Sequence, residues 1–394
     1  LKPFWLRQGS RYHPSRCCVL DAMMLIDSRG PVSTQKWYYY TGPVEDKEDW
    51  HRRCRLFAGS AHPALAEEVA QRLGVPISSA KVARFADSEV AVELLESVRC
   101  RDVFLLQPIC RSFPASSVND ALVELTLFVS ALRRASAQSI TAILPYYGYA
   151  RQDRRMAQVP IAAADVAQIL TNAGISRVVA MDLHSGQIQG FFPPAVPVDN
   201  LSAVFVAAGY FAEQGLHHAV VVSPDAGGVS RAKGFSATLQ SVGQQIAGPR
   251  ETGGIPKLAM LIKQRSGASQ IERMDLVGSV DGEDVILVDD ILDTAGTLCG
   301  AAAECKRYGA RRVYAFCTHG LFSGDAPRRL AEAHAAGHLE YVVVANTVPQ
   351  HPLEEWNSSC GDLSAPPVRV LSVAALLAEV VKRLATKQNL ELMR

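Results

Sequence analysis

The 394-residue sequence lacks the marks of several large classes, and each absence narrows the reading. No stretch approaches the roughly eighteen consecutive apolar residues of a bilayer-spanning helix, so no membrane partner is expected. No block of Lys and Arg is present. The 40 basic residues stand against 39 acidic ones, a formal net charge of +1, which supplies no broad basic face for DNA or RNA. No CxxC pair occurs, and the nine cysteines are odd in number, which argues against a zinc site or a disulfide framework. Cys299 and Cys305 in apolar helix-like sequence, and Cys317 at the end of a strand-like run, read as small buried side chains in a reducing compartment. Neither a Walker A loop nor a GxGxxG fingerprint appears. Small anionic ligands remain open, because one local pocket can be positive on a neutral protein.

What is present is a long alternation. Residues 1–54 stand apart from it, with Arg, Ser and Pro, the aromatic cluster Trp37 to Tyr40, and an acidic run from Glu45 to Asp49. Without a sustained period they are expected to be a leader, either disordered or an organellar targeting extension; Asp21, Asp27 and the acidic run weigh against targeting, leaving a cytoplasmic location as the expectation. From residue 55, apolar strand-like runs at 103–106, 140–144, 178–181, 219–222, 258–262, 285–288, 313–316 and 341–345 are separated by stretches long enough for crossover helices. One helical stripe runs through Leu122, Leu125, Val129 and Leu132, with Asn119 and Asp120 as candidate caps. Strands apolar throughout indicate parallel sheets covered on both faces. The expectation is an α/β protein of two doubly wound domains, 55–200 and 201–358, with 359–394 returning to the first as a strand and a helix.

The strongest local signal spans 285–297, where an apolar strand delivers Asp289 and Asp290 to its carboxyl end and the chain then turns through Asp293, Thr294, Ala295, Gly296 and Thr297 into a helix. Small residues at a helix start can cradle a phosphate, whereas the two leading carboxylates would repel it and suit sugar hydroxyls or a hydrated divalent ion. The same strand-end logic recurs at Asp225, Ala226, Gly227 and Gly228, where the glycines let backbone approach a diphosphate-sized ligand bordered by Asp225 and Arg231. His184 follows a third strand, as a metal ligand or a hydrogen-bonded structural histidine. Arg151, Gln152 and Asp153 follow a Pro-Tyr-Tyr-Gly-Tyr loop and suit a nucleoside polyphosphate. Lys263 and Arg265 extend the 258–262 run, and alternation would point both cations the same way over a charged substrate.

Taken together, the segments 149–154, 181–184 with 187–192, 223–228 and 288–297 resemble ribose-phosphate pyrophosphokinase, also called phosphoribosyl-pyrophosphate synthetase, with the likeness running from about Phe57 to Val381. The 288–297 loop alone is shared more widely with phosphoribosyltransferases. The resemblance implies two phosphoribosyltransferase-type domains and a magnesium-dependent reaction of ATP with ribose 5-phosphate, giving 5-phosphoribosyl 1-diphosphate and AMP. Carried onto matching positions, Asp289, Asp290 and 293–297 would hold ribose 5-phosphate, 225–228 the diphosphate, and His184 with Asp225 the Mg2+. Phe85, Asp87 and Glu89 of a neighbouring subunit would meet ATP beside Arg151, Gln152 and Asp153. Lys263, Arg265 and Arg151 would stabilise charge in flight. A dimer-based homo-oligomer, up to a hexamer, is implied. Three departures, a shortened 154–160 stretch, Asp165 in place of a common Lys and Gly186 in place of a common Ser, imply weakened phosphate activation and weakened ADP inhibition. A non-catalytic regulatory relative is the rival, against which the retained Lys263, Arg265, His184 and 225–228 loop speak.

Overall fold

The computed structural model describes residues 50–112, 116–247, 257–265, 271–353, 356 and 367–390, with two further strands at 20–27 and 30–37. Those strands are β1 (Leu20–Asp27) and β2 (Gly30–Trp37), and a single helical turn, α1 (Trp50–Arg53), leads into the first domain. That domain holds a sheet of β3 (Cys54–Ala58), β6 (Asp102–Leu106), β7 (Ser139–Leu144), β8 (Arg177–Met181) and β9 (Val198–Leu201), all parallel and ordered as they occur in the chain. A separate antiparallel hairpin, β4 (Ala80–Arg84) and β5 (Val90–Leu94), packs on α3 (Val118–Arg134). Helices α2 (Pro63–Leu73) and α4 (Ala162–Ala173) complete this half.

Helix α5 (Val204–Glu213) leads to the second domain, built on β10 (Val220–Ser223), β11 (Leu258–Arg265), β12 (Ile271–Val277), β13 (Asp284–Leu292), β14 (Arg312–Gly320), β15 (Tyr341–Ala345) and β16 (Val368–Leu371). Its helices are α6 (Val229–Ala247), α7 (Gly296–Arg307), α8 (Ala326–Ala335) and, beyond β16, α9 (Ala374–Ala385). The order β12-β11-β10-β13-β14-β15-β16 is parallel from β11 to β16 and reverses direction between β10 and β13. The switch separates the helices: α6 packs its Ala232, Phe235 and Leu239 on one face, whereas α7 and α8 cover the other. The expectation of doubly wound, mainly parallel sheets therefore holds in the second domain, where β12 at one edge and the β1–β2 hairpin at the other are the antiparallel strands, while the first sheet runs one way with helices on both faces.

One apolar core joins the halves. Leu56, Phe104, Ile143 and Met181 of the first sheet share it with Ile286, Phe316 and Val343 of the second, and α2, α5, α6 and α9 lie between. Burial of each such large side chain contributes on the order of 2 kcal/mol, so the domains are held as one packed body.

Three expectations are corrected. Of the two readings of the leader, a disordered one is corrected over 20–37, which form a hairpin whose β1 adds to β16, with Leu25 opposite Leu371. Register shifts on either side of Met23 interrupt its alternation, which hides the period of two in the sequence. The cap of α3 is Ser117 rather than Asn119 or Asp120: its hydroxyl accepts from Asp120 N–H while Asp120 at the third helical position accepts from Ser117 N–H. The C-terminal segment divides: β16 extends the second sheet beside β15, and only α9 reaches the first domain, packing on α2. Among the described residues no helix is long and apolar enough to cross a membrane.

Candidate active site

The reversal between β10 and β13 opens a crevice at the carboxyl edge of the second sheet, where open α/β sheets bind ligands. Asp289 and Asp290 lie inside β13, which runs on to Leu292, with Asp289 opposite Cys317 and Ile291 opposite His319 of β14. Arg231, in the first turn of α6, reaches both acids, its Nη1 lying 3.3 Å from Asp290 Oδ1 and 3.6 Å from Asp289 Oδ1. From the facing edge of the first sheet, His184 brings Nδ1 to 2.6 Å from Asp290 Oδ2.

This geometry splits the two acids electrostatically. Burial raises the pKa of Asp289, and the charge of Asp290 raises it further. Burial acts on Asp290 too, but the His184 hydrogen bond and Arg231 outweigh it and hold that carboxyl well below the usual range. The bond to Asp290 in turn raises His184 against the effect of burial. The negative charge of the pair therefore concentrates on Asp290, between an imidazole and a guanidinium.

The 293–297 turn is shaped as an anion cradle. Ala295 adopts φ 61°, a left-handed conformation costing about 1 kcal/mol for a residue with a Cβ, and it has no side chain to cap α7. The first amides of α7 are thus left uncapped, and Thr294, Gly296 and Thr297 are exposed. Arg329 Nη1 donates to the Thr294 carbonyl at 3.0 Å, fixing the turn from α8.

After β10, Ser223 Oγ donates to the Asp225 carbonyl at 2.6 Å and Gly228 N–H donates to Asp225 Oδ1 at 3.1 Å. A Cβ on Gly228 would lie 2.7 Å from Ser223 Oγ, so this turn requires glycine; Ala226 and Gly227 are exposed at its tip. His184, paired with Asp225 as a metal ligand by the resemblance, has Asp290 as a carboxylate partner at Nδ1, a contact between the two domains. Among the described residues no group of three or more His, Cys, Asp or Glu is placed to hold a metal.

Arg151 Nη1 lies 2.6 Å from Asp293 Oδ2, so the polyphosphate candidate of one domain meets the phosphate turn of the other. With Gln152 and Asp293 it lines a cavity of about 760 Å3 that also involves Tyr146, Tyr149 and Phe322. Asp153 is buried, and its backbone carbonyl accepts from Gln187 Nε2 at 2.9 Å, which fixes the main chain of this loop. Phe85, Asp87 and Glu89 form the tip of the β4–β5 hairpin, with Phe85 63% exposed and Glu89 N–H donating to Asp87 Oδ1 at 3.2 Å. The side chains of Lys263 and Arg265 lie outside the described residues; their backbone belongs to β11, paired with β12, and a register shift falls between Gln264 and Arg265.

Sequence reasoning gave Arg231 only a place beside the 225–228 turn and gave His319 no role. Both were within reach of its own rule, since Arg231 opens the helix after β10 and His319 stands where β14 ends, a fourth strand end at the same edge.

A switch-point crevice with paired acids, an uncapped helix start and a glycine turn defines an α/β enzyme-type site for phosphorylated sugar and nucleotide ligands. A family model described as the N-terminal domain of ribose phosphate pyrophosphokinase matches residues 54–174, and one described as a phosphoribosyl synthetase-associated domain matches 256–394. The chain belongs to the ribose-phosphate pyrophosphokinase family. It is 42% identical to the ribose-phosphate pyrophosphokinase of Helicobacter pylori, covering 86% of this chain and 96% of that one. Identity to that of Wolinella succinogenes is 45%, covering 84% and 96%. The crystal structure of phosphoribosylpyrophosphate synthetase from Mycobacterium smegmatis superposes with a TM-score of 0.70 at 38% identity, covering 85% of this chain and 99% of that one.

Proposed function

We propose that the protein transfers the diphosphate of ATP to ribose 5-phosphate, giving 5-phosphoribosyl 1-diphosphate and AMP. The observation that carries this reading is the 2.6 Å contact of His184 with Asp290 across the cleft, which joins the edge expected to meet ATP to the edge expected to meet ribose. Asp289 and Asp290 bind the ribose hydroxyls, and the uncapped amides at 294–297 take the 5-phosphate. The turn at 225–228 lies along the diphosphate. The ribose O1 hydroxyl attacks the β-phosphorus of ATP; the new O1–P bond forms as the P–O bond to AMP breaks, AMP leaves with the electron pair, and the hydroxyl proton passes to solvent. Arg151, Lys263 and Arg265 balance charge on the transferred and leaving oxygens, so positioning and electrostatics supply most of the rate.

The residues present fit a hydrated Mg2+ bound by one or two protein groups: Asp225 offers a carboxylate, and His184, with Nδ1 committed to Asp290, keeps Nε2. Mg2+ usually retains waters and substrate phosphates, so no larger protein cage is needed. When bound, it would neutralise phosphate charge and polarise the β-phosphorus.

The exposed Phe85 at a hairpin tip supports an ATP site completed by a second subunit, in a dimer-based homo-oligomer. Six free cysteines among the described residues suit a cytoplasmic location. Asp165 sits in the first turn of α4, which no side chain caps, where a carboxylate favours the helix but repels an incoming anion. Weak phosphate activation and weak ADP inhibition follow, and a phosphate titration showing strong activation would count against them. The main test is to incubate the protein with Mg2+, ATP and ribose 5-phosphate and to identify products by mass spectrometry. AMP and phosphoribosyl diphosphate in equal amounts are expected; ADP and phosphate alone would refute the reaction.

A further inference from the structure

We infer that His319, at the end of β14, is a positioning residue that sets two first-domain loops, those carrying His184 and Arg151, against the second-domain acids. This inference rests on the proposed reading that these two side chains serve the reaction.

His319 is buried, and it contacts both loops at once. Its Nε2 lies 3.3 Å from the Asp182 carbonyl oxygen, two residues before His184. Its ring meets that of Tyr146 edge-on, with centroids 5.0 Å apart, and Tyr146 begins the loop that ends at Arg151. On the other side Nδ1 lies 2.8 Å from Thr347 Oγ1. Burial keeps the imidazole neutral, its pKa below the ordinary value, so one tautomer satisfies both bonds: Nε2–H donates to the Asp182 carbonyl, and Nδ1 accepts from the Thr347 hydroxyl, which takes this partner at 2.8 Å over the Thr318 carbonyl at 3.2 Å.

The Asp182 loop is held on every side. Thr318 Oγ1 donates to Asp182 Oδ2 at 2.8 Å, Ser202 Oγ donates to Oδ1 at 2.9 Å, and Ala203 N–H donates to Oδ2 at 2.8 Å. Asp182 itself sits at φ 39°, a left-handed conformation that needs such support. Two of these holds, from Thr318 and His319, come from the other domain. They fix where the next two residues emerge, and hence that His184 meets Asp290. A misplacement of about 1 Å at a reacting centre can cost on the order of a hundredfold in rate.

The test compares His319→Gln with His319→Asn. Glutamine can place its Nε2 donor near the imidazole Nε2 position; asparagine cannot reach that far. Both lose the ring against Tyr146, so both should raise KM for ATP by about threefold or more, with KM for ribose 5-phosphate changed by less than about twofold, because the 294–297 turn belongs to the same domain as His319. His319→Asn should lower kcat by about tenfold to a hundredfold and His319→Gln should recover most of it. A merely structural residue would lower the active fraction without this split. Equal kcat in the two variants, or a loss of kcat with neither KM altered, would overturn the inference. If the His319 variants do not fold, Thr318→Val and Thr318→Ser serve instead: serine should restore the kcat that valine removes, and equal kcat in the two would overturn it. His184→Ala separates the levels. Full activity in that variant removes the underlying reading, whereas its loss together with an unaffected, folded His319→Asn removes only the positioning role.

Discussion

The two sheets share a core but differ in how they build a site. The second reverses strand order between β10 and β13, and the resulting crevice collects whole turns: 225–228, the acids of β13 and the 293–297 cradle. The first sheet runs in one direction and opens no such crevice; it contributes single side chains, His184 and Arg151, each of which finds a carboxylate partner in the second domain. In the proposed reading the sheet with the switch point holds the ligand, and the sheet without it supplies charges that find their partners only in the other domain. A division of this kind makes the domain interface part of the chemistry, which is why one continuous apolar core beneath it is functionally apt.

The sharpest way to break the comparison is to remove the acid on which the two sheets meet. Asp290→Asn takes away the partner of both His184 and Arg231 and should lower kcat/KM by about a hundredfold to a thousandfold, measured as AMP release. A loss under about tenfold would mean that the cross-cleft contact is incidental. Arg151→Ala tests the first sheet's contribution separately. It should raise KM for ATP by about tenfold to a hundredfold, with a smaller effect on ribose 5-phosphate, and equal effects on both substrates would blur the assigned division. Gly228→Ala probes a turn internal to the second sheet. Its Cβ would meet Ser223 Oγ, already tied to the Asp225 carbonyl, so the strain of about 1–3 kcal/mol must move the turn and should reduce kcat about tenfold while leaving the fold intact by circular dichroism.

The same contrast explains what the sequence could disclose. The central strands were legible because both faces of a parallel sheet are buried: Val285 to Val288 is an unbroken apolar run and is wholly buried. The acid pair, the glycine turn and the helix start were legible because each is local. The hairpin at 80–94 was not, since its strands are half-exposed and lack a long apolar run. The hairpin at 20–37 was hidden by its register shifts. The pairing of His184 with Asp290 joins residues 106 positions apart, and no local pattern specifies which of two nearby carboxylates an imidazole will meet. That choice belongs to the stacking of the two domains, as does the place of His319.

The smallest expected effect lies at the opposite edge of the second sheet, away from the ligand crevice, and asks whether charge there serves stability alone. Asp284 begins β13, is buried, and accepts from Arg311 at 2.9 and 2.7 Å and from Arg312 at 3.1 and 2.7 Å. Burial pushes its pKa up, but the hydrogen bonds from Arg311 and then Arg312 outweigh burial and hold the carboxyl at about 2. A carboxyl depressed in the folded state stabilises it above the unfolded pKa of about 3.9 and loses that contribution as pH falls through the folded value. Both guanidiniums are largely exposed, so solvent screening leaves only a small part of the attraction as net stability. Asp284→Asn should therefore lower the melting temperature by a few degrees at neutral pH, and the difference from the parent should shrink from about pH 4 toward pH 2. Turnover measured below the melting transition should be unchanged, because Asp284 lies at the far end of the strand that carries Asp289 and Asp290. A fall in kcat in the fully folded variant would show that the two ends of β13 are coupled, and that the second sheet does not separate stability from chemistry along its length.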